Sequence, residues 1–318
     1  MPVRQVVLGA GPLGTAIASQ LALDGLDVGL YGVMGNRAYN MPGTSPQEID
    51  GASVDDLSEV CQGAAVVYLC LNAHYVDWPE LFPSRLDAAI EAAARNDSAL
   101  VYHDSVYVYG VVDGSFTEVL PLAATTRKGM LRARMAEVFL DALQSERVRG
   151  VIGRTADMYG AGALNSSFNS TLGERHFYPL LAGKSVSVAG NIDVPHTYGF
   201  VDDVARGLIK LGRTESAYGD VWHVPAAPTL THRELLGLAF SARDLRPKIR
   251  GSSLSGFFIR AIGRFQADVG EVAEMMYMFE RPFEVSHTKY EDAFGADVTP
   301  HDVALARTLD WYEQNPSE

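Results

Sequence analysis

Cysteine is nearly absent. Cys61 and Cys70 are the two in 318 residues, too few for the disulfide framework that staples small secreted domains. Cys70 lies in the apolar run VVYLCL and reads as a buried core thiol, in keeping with a reduced, cytoplasmic setting. Positive charge is also scarce: 26 Lys and Arg face 39 Asp and Glu, a formal net charge of −13. A nucleic-acid partner needs a basic face, so none is expected. No apolar run is long enough to span a bilayer, so no membrane partner is expected either. The opening MPVRQVVLGAG lacks a basic region followed by a leader-like stretch and reads as part of the fold. The histidines show no HExxH spacing and the cysteines no zinc pattern, so no metal is expected. A GxSxG nucleophile elbow is missing. His103-Asp104-Ser105 has the residue types of a hydrolytic triad, but neighbours along a strand point to alternate faces and cannot act together. Repeats and low-complexity tracts are missing as well.

What remains is a globular composition, 47% hydrophobic and 20% charged, patterned as alternating strands and helices. RQVVLGAG reads as a buried strand ending in glycines, TAIASQLAL as a helix and LDVGLYGV as a second strand. The alternation continues with strand 64–71, helix 85–95, strand 98–105, helix 129–144 and strand 147–154. Apolar runs without strict alternation suit strands covered on both faces. The fold class is therefore α/β: a Rossmann-type, doubly wound parallel sheet with a smaller, partly interleaved C-terminal substrate lobe. The nucleotide domain takes residues 1–162 plus about 198–221, and the lobe about 163–197 and 222–318. A helix over 201–213, a short strand in YGDVWHV, a capping box from Thr231 to Glu234 and a closing helix in HDVALARTLDWYEQN complete the reading.

Gly9-Ala-Gly11-Pro12-Leu13-Gly14 is a GxGxxG that follows a strand and opens a helix, the context in which it signals a dinucleotide. Gly9 serves the tight turn, Gly11 the close approach of a pyrophosphate, and Gly14 helix–strand packing. The second strand runs into LYGVMGNRAYN with no acid before Glu48. A carboxylate there would hold the NAD ribose and an Arg the NADP phosphate, so Arg37 points to NADP(H), with NAD(H) as the alternative.

Several phrases resemble the extended short-chain dehydrogenases/reductases, the NAD-dependent epimerase/dehydratase group. Ser105 with Tyr109-Gly110 matches the strand-end Ser/Thr followed by Tyr-Gly. Arg154 to Gly162 matches "R-x-x-x-x-Tyr-Gly-Pro-Gly", with Ala161 in place of proline. Phe200 to Ala205 matches "Tyr/Phe-Val-Asp-Asp-Val-Ala", and Glu291 to Trp311 is similar to the closing segment. The resemblance implies a nicotinamide cofactor and a small-molecule substrate. It also implies a homodimer through helices at about 84–95 and 129–144. The group's acid/base is a Tyr with a Lys four residues later, at the start of the helix after the Ser strand. Aligning Glu137 with that helix's usual glutamate puts Gly129 and Ala133 in those places. No tyrosine in the chain has Lys four residues on; Tyr277 with Arg281 comes nearest. The chain is also similar to an atypical subgroup sharing "N-x-x-Y-x-x-W" (Asn72, Tyr75, Trp78), "Tyr-x-Tyr-Gly" (Tyr107, Tyr109) and "Pro-His-Thr-Tyr" (Pro195 to Tyr198).

The candidates to replace the missing pair are Ser105, Tyr107, Tyr109 and Lys128. The cofactor set is Gly9, Gly11, Pro12, Leu13, Gly14, Arg37, Leu71, Asn72, Ser105 and Lys128. Tyr75, Asp157, Tyr159 and His196 are assigned to substrate. The cations Arg127, Lys128, Arg132 and Arg134 crowd a helix start, where the dipole disfavours them. They read as a solvated or dimer-facing surface, apart from a role for Lys128 at the ribose or a substrate anion. Three functions stay open: an atypical oxidoreductase, a non-redox isomerase, lyase or cyclase with bound NAD(P), and a dinucleotide-sensing regulator.

Overall fold

The computed structural model describes residues 3–33, 45–71, 77–162, 172–252 and 275–316. The strands are β1 (Arg4–Leu8), β2 (Asp27–Val33), β3 (Gln47–Ile49), β4 (Ala64–Leu69), β5 (Ala99–Ser105), β6 (Arg149–Thr155) and β7 (Asp157–Tyr159). Short strands follow: β8 (Val186–Ala189), β9 (Pro195–His196), β10 (Tyr198–Phe200), β11 (Val221–His223), β12 (Leu230–Thr231) and β13 (Ile249–Ser252). The helices are α1 (Pro12–Leu23), α2 (Val54–Val60), α3 (Trp78–Arg95), α4 (Arg127–Gln144), α5 (Glu174–Leu181), α6 (Val201–Gly212), α7 (His232–Ser241), α8 (Thr288–Phe294) and α9 (His301–Gln314).

Seven parallel strands form the central sheet in the order β11-β6-β5-β4-β1-β2-β3. The chain winds outward from β1 in both directions, so the topological switch point lies between β1 and β4. Ligands of such sheets bind outside the carboxyl ends of the strands there. The pleat sorts the core. Leu8, Leu100, Tyr102 and Ile152 pack with Leu57, Phe82, Leu86 and Phe139 of α2, α3 and α4. Val7, Val101 and Val151 pack with Ile17 and Leu21 of α1 and Val204 and Leu208 of α6. Covering both faces explains why these strands read as unbroken apolar runs. A separate core joins Phe177, Val186, Phe200, Leu235, Phe240 and Leu309, from α5, β8, β10, α7 and α9.

The sequence reading left residues 46–60 unassigned, and β3 and α2 occupy them. In β3 only Ile49 is buried, so no periodicity marks it. Helix α3 starts seven residues before the expected 85, because Trp78 and Phe82 bury one more face, with Pro79 in the first turn where its missing N–H is harmless. The capping box forms: Glu234 N donates to Thr231 Oγ1 at 3.1 Å, and Thr231 N donates to Glu234 Oε2 at 2.8 Å. Thr231→Ala is expected to remove about 1 kcal/mol, measured as a fall in the denaturant midpoint.

Candidate active site

The three glycines of the first turn have different neighbours. Gly9 has φ of +123°, and a Cβ on it would lie 2.4 Å from the Cys70 carbonyl oxygen. A Cβ on Gly14 would lie 1.7 Å from the Gly9 carbonyl oxygen. A Cβ on Gly11 would meet nothing within 4 Å. Two glycines are thus demanded by packing and one borders open space. Helix α1 begins there with Pro12, carries no side-chain cap and has no acid in its first turn. Pro12 lacks an N–H, so the amides of Leu13 and Gly14 head the helix, and its positive end suits an anion. Half-buried Leu71, just past β4, stands beside the turn. These residues fit a pyrophosphate. Gly11→Ala is therefore expected to keep the wild-type melting temperature and weaken dinucleotide binding at least tenfold. Gly14→Ala is expected to lower the melting temperature itself, and thermal melts with cofactor titrations read both. Arg37, Asn72 and Tyr75 lie outside the described residues. The described part of β2 ends in Gly32-Val33, without an acid.

At the end of β5 the chain turns through residues 106–109. Ser105 Oγ accepts from Tyr107 N at 3.4 Å, which leaves the Ser105 hydroxyl hydrogen for another acceptor. The half-buried Tyr107 donates its hydroxyl to Asp157 Oδ1 at 2.5 Å. On β7, Asp157 also receives His196 of β9, with Nε2 to Oδ2 at 2.9 Å. A carboxylate oxygen only accepts, so His196 carries its hydrogen on Nε2. His196 is fully buried between Phe279 and Phe283, with ring centroids 5.5 and 4.4 Å away. Its neighbour His232 faces the Tyr198 hydroxyl. Burial, with His196 second, lowers the His232 imidazole to about 3 and keeps it neutral. Tyr198 pairs with Asp157 across β10 and β7.

The sequence matches the NAD dependent epimerase/dehydratase family over residues 6–224. This chain belongs to that family. By that family it is an NAD-dependent enzyme. No curated protein matches it. Among solved structures, a double mutant of dTDP-glucose 4,6-dehydratase from Streptomyces venezuelae, with NAD bound, is 18% identical. Its TM-score is 0.76 and 98% of each chain is covered. The dTDP-glucose 4,6-dehydratase of Bacillus anthracis, in complex with NAD, is 14% identical at a TM-score of 0.78, with 98% of this chain and 97% of that one covered. The UDP-N-acetylglucosamine 4-epimerase of Methanobrevibacter ruminantium, in complex with UDP-N-acetylmuramic acid, is 15% identical at 0.75, covering 99% and 100%. Likeness at this identity shows the fold.

Gly129, which the sequence reading placed at the family's tyrosine, has no room for a side chain. A Cβ on Gly129 would lie 2.5 Å from Ala124 Cβ and 2.8 Å from the Tyr107 carbonyl oxygen. The Ala124 methyl, the Tyr107 carbonyl and the Thr126 hydroxyl fill the space. Thr126 Oγ1 caps α4 by accepting from Gly129 N at 3.1 Å. The helix start is not the solvated surface expected from sequence. Arg127 and Arg134 are exposed, but Lys128 and Arg132 are buried. The Arg132 guanidinium lies 4.7 Å from the ring centroids of both Trp78 and Phe82, with Nη1 3.9 Å from Asp104 Oδ1. Aromatic faces of α3 thus offset part of the dipole cost.

Tyr109 and Tyr159 do not reach a cleft. Tyr109 is 1% exposed; Arg154 Nη1 donates to its hydroxyl at 2.6 Å, and His223 Nε2 is 2.8 Å away. Burial raises the Tyr109 hydroxyl, against the pull of Arg154. Tyr159 is fully buried, with its hydroxyl 2.9 Å from His301 Nδ1. Both read as structural tyrosines. Sequence reasoning missed the ionic centre beneath the site, where Arg154 Nε donates to Asp104 Oδ2 at 2.9 Å. Arg154 was visible only as the first letter of a family phrase.

Proposed function

We propose that this enzyme is an NAD(P)-dependent oxidoreductase that interconverts an alcohol and a carbonyl on a small or medium organic molecule. Tyr107 and Asp157 together serve as acid/base. The observation that carries the reading is the 2.5 Å contact between the Tyr107 hydroxyl and the Asp157 carboxylate, two residues past Ser105 at the carboxyl edge of β5. In the family pattern a lysine cation lowers the tyrosine's pKa. A carboxylate partner instead accepts the tyrosine's proton, so Tyr107 acts as a relay. In the oxidative direction the substrate hydroxyl proton passes to Tyr107 Oη while the proton of Tyr107 passes to Asp157 Oδ1. In the reductive direction both return. His196 donates to the other carboxylate oxygen and holds its orientation, and the Ser105 hydroxyl is free to donate to the substrate oxygen. Bound nicotinamide supplies the hydride donor or acceptor.

NADP(H) is the preferred cofactor in this reading, supported by the acid-free end of β2 and by Arg37 in the sequence. Exposed Met130 and Val138 on α4 support a homodimer through that helix. Among the described residues no helix is long and apolar enough to cross a membrane. The test is a substrate screen on the purified protein, read by nicotinamide absorbance and opened with sugar nucleotides because the similar structures act on or bind them. Turnover with an equimolar absorbance change supports the reading. Product without any such change turns it to the non-redox isomerase, lyase or cyclase.

A further inference from the structure

His103 takes no part in the Tyr107–Asp157 arrangement. It lies on β5 two residues before Ser105, on the same side of the strand as Ser105 and Val101. Leu100 and Tyr102 face α3 and α4, whereas Val101 packs towards α1 and α6. The His103 ring is half-buried at the carboxyl edge, with Nε2 3.0 Å from Thr155 Oγ1. The Thr155 hydroxyl hydrogen is directed to the Asp104 carbonyl oxygen, 3.4 Å away. With its hydrogen given to Asp104, Thr155 offers His103 a lone pair, and in that arrangement Nε2 carries the imidazole hydrogen. Nδ1 makes no hydrogen bond among the described residues and in this tautomer is a bare acceptor. Burial, helped by Arg132, lowers this imidazole to about 3, so a second hydrogen does not arrive on Nδ1 at ordinary pH.

We propose that Nδ1 of His103 binds the cofactor by accepting a hydrogen bond from the carboxamide N–H of the nicotinamide. The assignment rests on the dinucleotide reading of the glycine turn. β5 is the second strand from β1 on the side away from β2, about 10 Å at ordinary strand spacing. A dinucleotide with its pyrophosphate at Gly11 extends one half towards β2 and the other past β4 to β5. The carboxamide is the only polar substituent on the pyridine ring, and its N–H needs an acceptor. The oxidised ring is also a cation. A neutral imidazole accepts without repelling it, which a histidinium does not.

The test is titration of wild type and variants with NADPH, NADH, ADP-ribose and 2′-phospho-ADP-ribose by calorimetry. The last two keep the adenosine half and lack nicotinamide. His103→Leu is expected to weaken both reduced cofactors about tenfold, the scale of one hydrogen bond. It is expected to leave the two fragments within about twofold of wild type. His103→Gln, whose amide oxygen accepts, is expected to recover most of the loss. Equal weakening of cofactors and fragments, or none of the cofactors, overturns the assignment. Long-range proton–nitrogen spectra of the cofactor-free protein give a second reading: the Nε2–H tautomer is expected for His103, and Nδ1–H overturns it. If wild type binds neither cofactors nor fragments, the dinucleotide reading itself fails and this assignment falls with it.

Discussion

Asp157→Asn is expected to fold and to lose about 10²–10⁴ of the turnover measured with the substrate found by the absorbance screen, the range for removing a general acid or base. The amide oxygen can still accept from Tyr107, so the geometry survives, but an amide cannot take a proton. The amide nitrogen would face Nε2–H of His196, two donors together. His196 can avoid this by moving its hydrogen to Nδ1, a buried nitrogen without a hydrogen-bond partner among the described residues, at the cost of an unsatisfied N–H of about 1–3 kcal/mol. That cost lowers the melting temperature by several degrees without unfolding the protein, and a melt well above the assay temperature is the control that the loss is one of turnover. Tyr107→Phe is expected to give a loss of the same size, and the double variant no more than either single one, because the two groups act as one unit. Retention of turnover within about threefold by Tyr107→Phe would remove the relay. Loss in Tyr107→Phe with retention in Asp157→Asn would keep the tyrosine and give the proton to water instead.

The sheet was legible in the sequence because its inner strands are covered on both sides and stand out as apolar runs bounded by glycine, as with VVYLCL at β4. Of the short strands β7 to β13, only β11 was read, in YGDVWHV; the others have two to four residues each and are fixed by partners far along the chain. The site divides the same way. Gly9 to Gly14, Ser105 and Tyr107 are local signals at strand ends. The joining of Tyr107, Asp157 and His196 is not local, as Asp157 lies 50 residues from Tyr107 and 39 from His196. It depends on β10 pairing with β7, which no local pattern encodes. The helix start at Arg127 shows the reverse error. Read alone, Lys128 and Arg132 belong in water; Trp78 and Phe82, half a hundred residues earlier, supply the faces that bury Arg132.

A second large effect concerns acid. His176, His223 and His232 are buried, and burial lowers their imidazoles to about 4, about 4 and about 3. In the unfolded chain each returns to about 6.5. Below that value the unfolded state binds protons that the native state refuses, so stability falls as pH falls, from 6.5 down to the native values. His103, lowered by burial to about 3, joins them: at pH 5 each of the four histidines costs about 2 kcal/mol, and together about 8 kcal/mol, comparable with the whole stability of an ordinary domain. The neighbours of His223 divide: Glu118 favours its charged form, while Arg154 and His287 oppose it. For His232, Asp157 favours charge while His196 and His176 oppose it. Burial leads in both, which fixes the sign. Urea midpoints are expected to hold from pH 8 to 7 and to fall steeply from 6.5 to 5, well above the range in which carboxylates protonate. His176→Leu is expected to shallow that fall by about a quarter, since among the described residues its ring accepts one long hydrogen bond, from the Gly173 amide at 3.4 Å. A midpoint unchanged between pH 7 and 5 would mean that these rings take up protons in the native protein, and that the lobe around Tyr198 and His232 opens to water as they do.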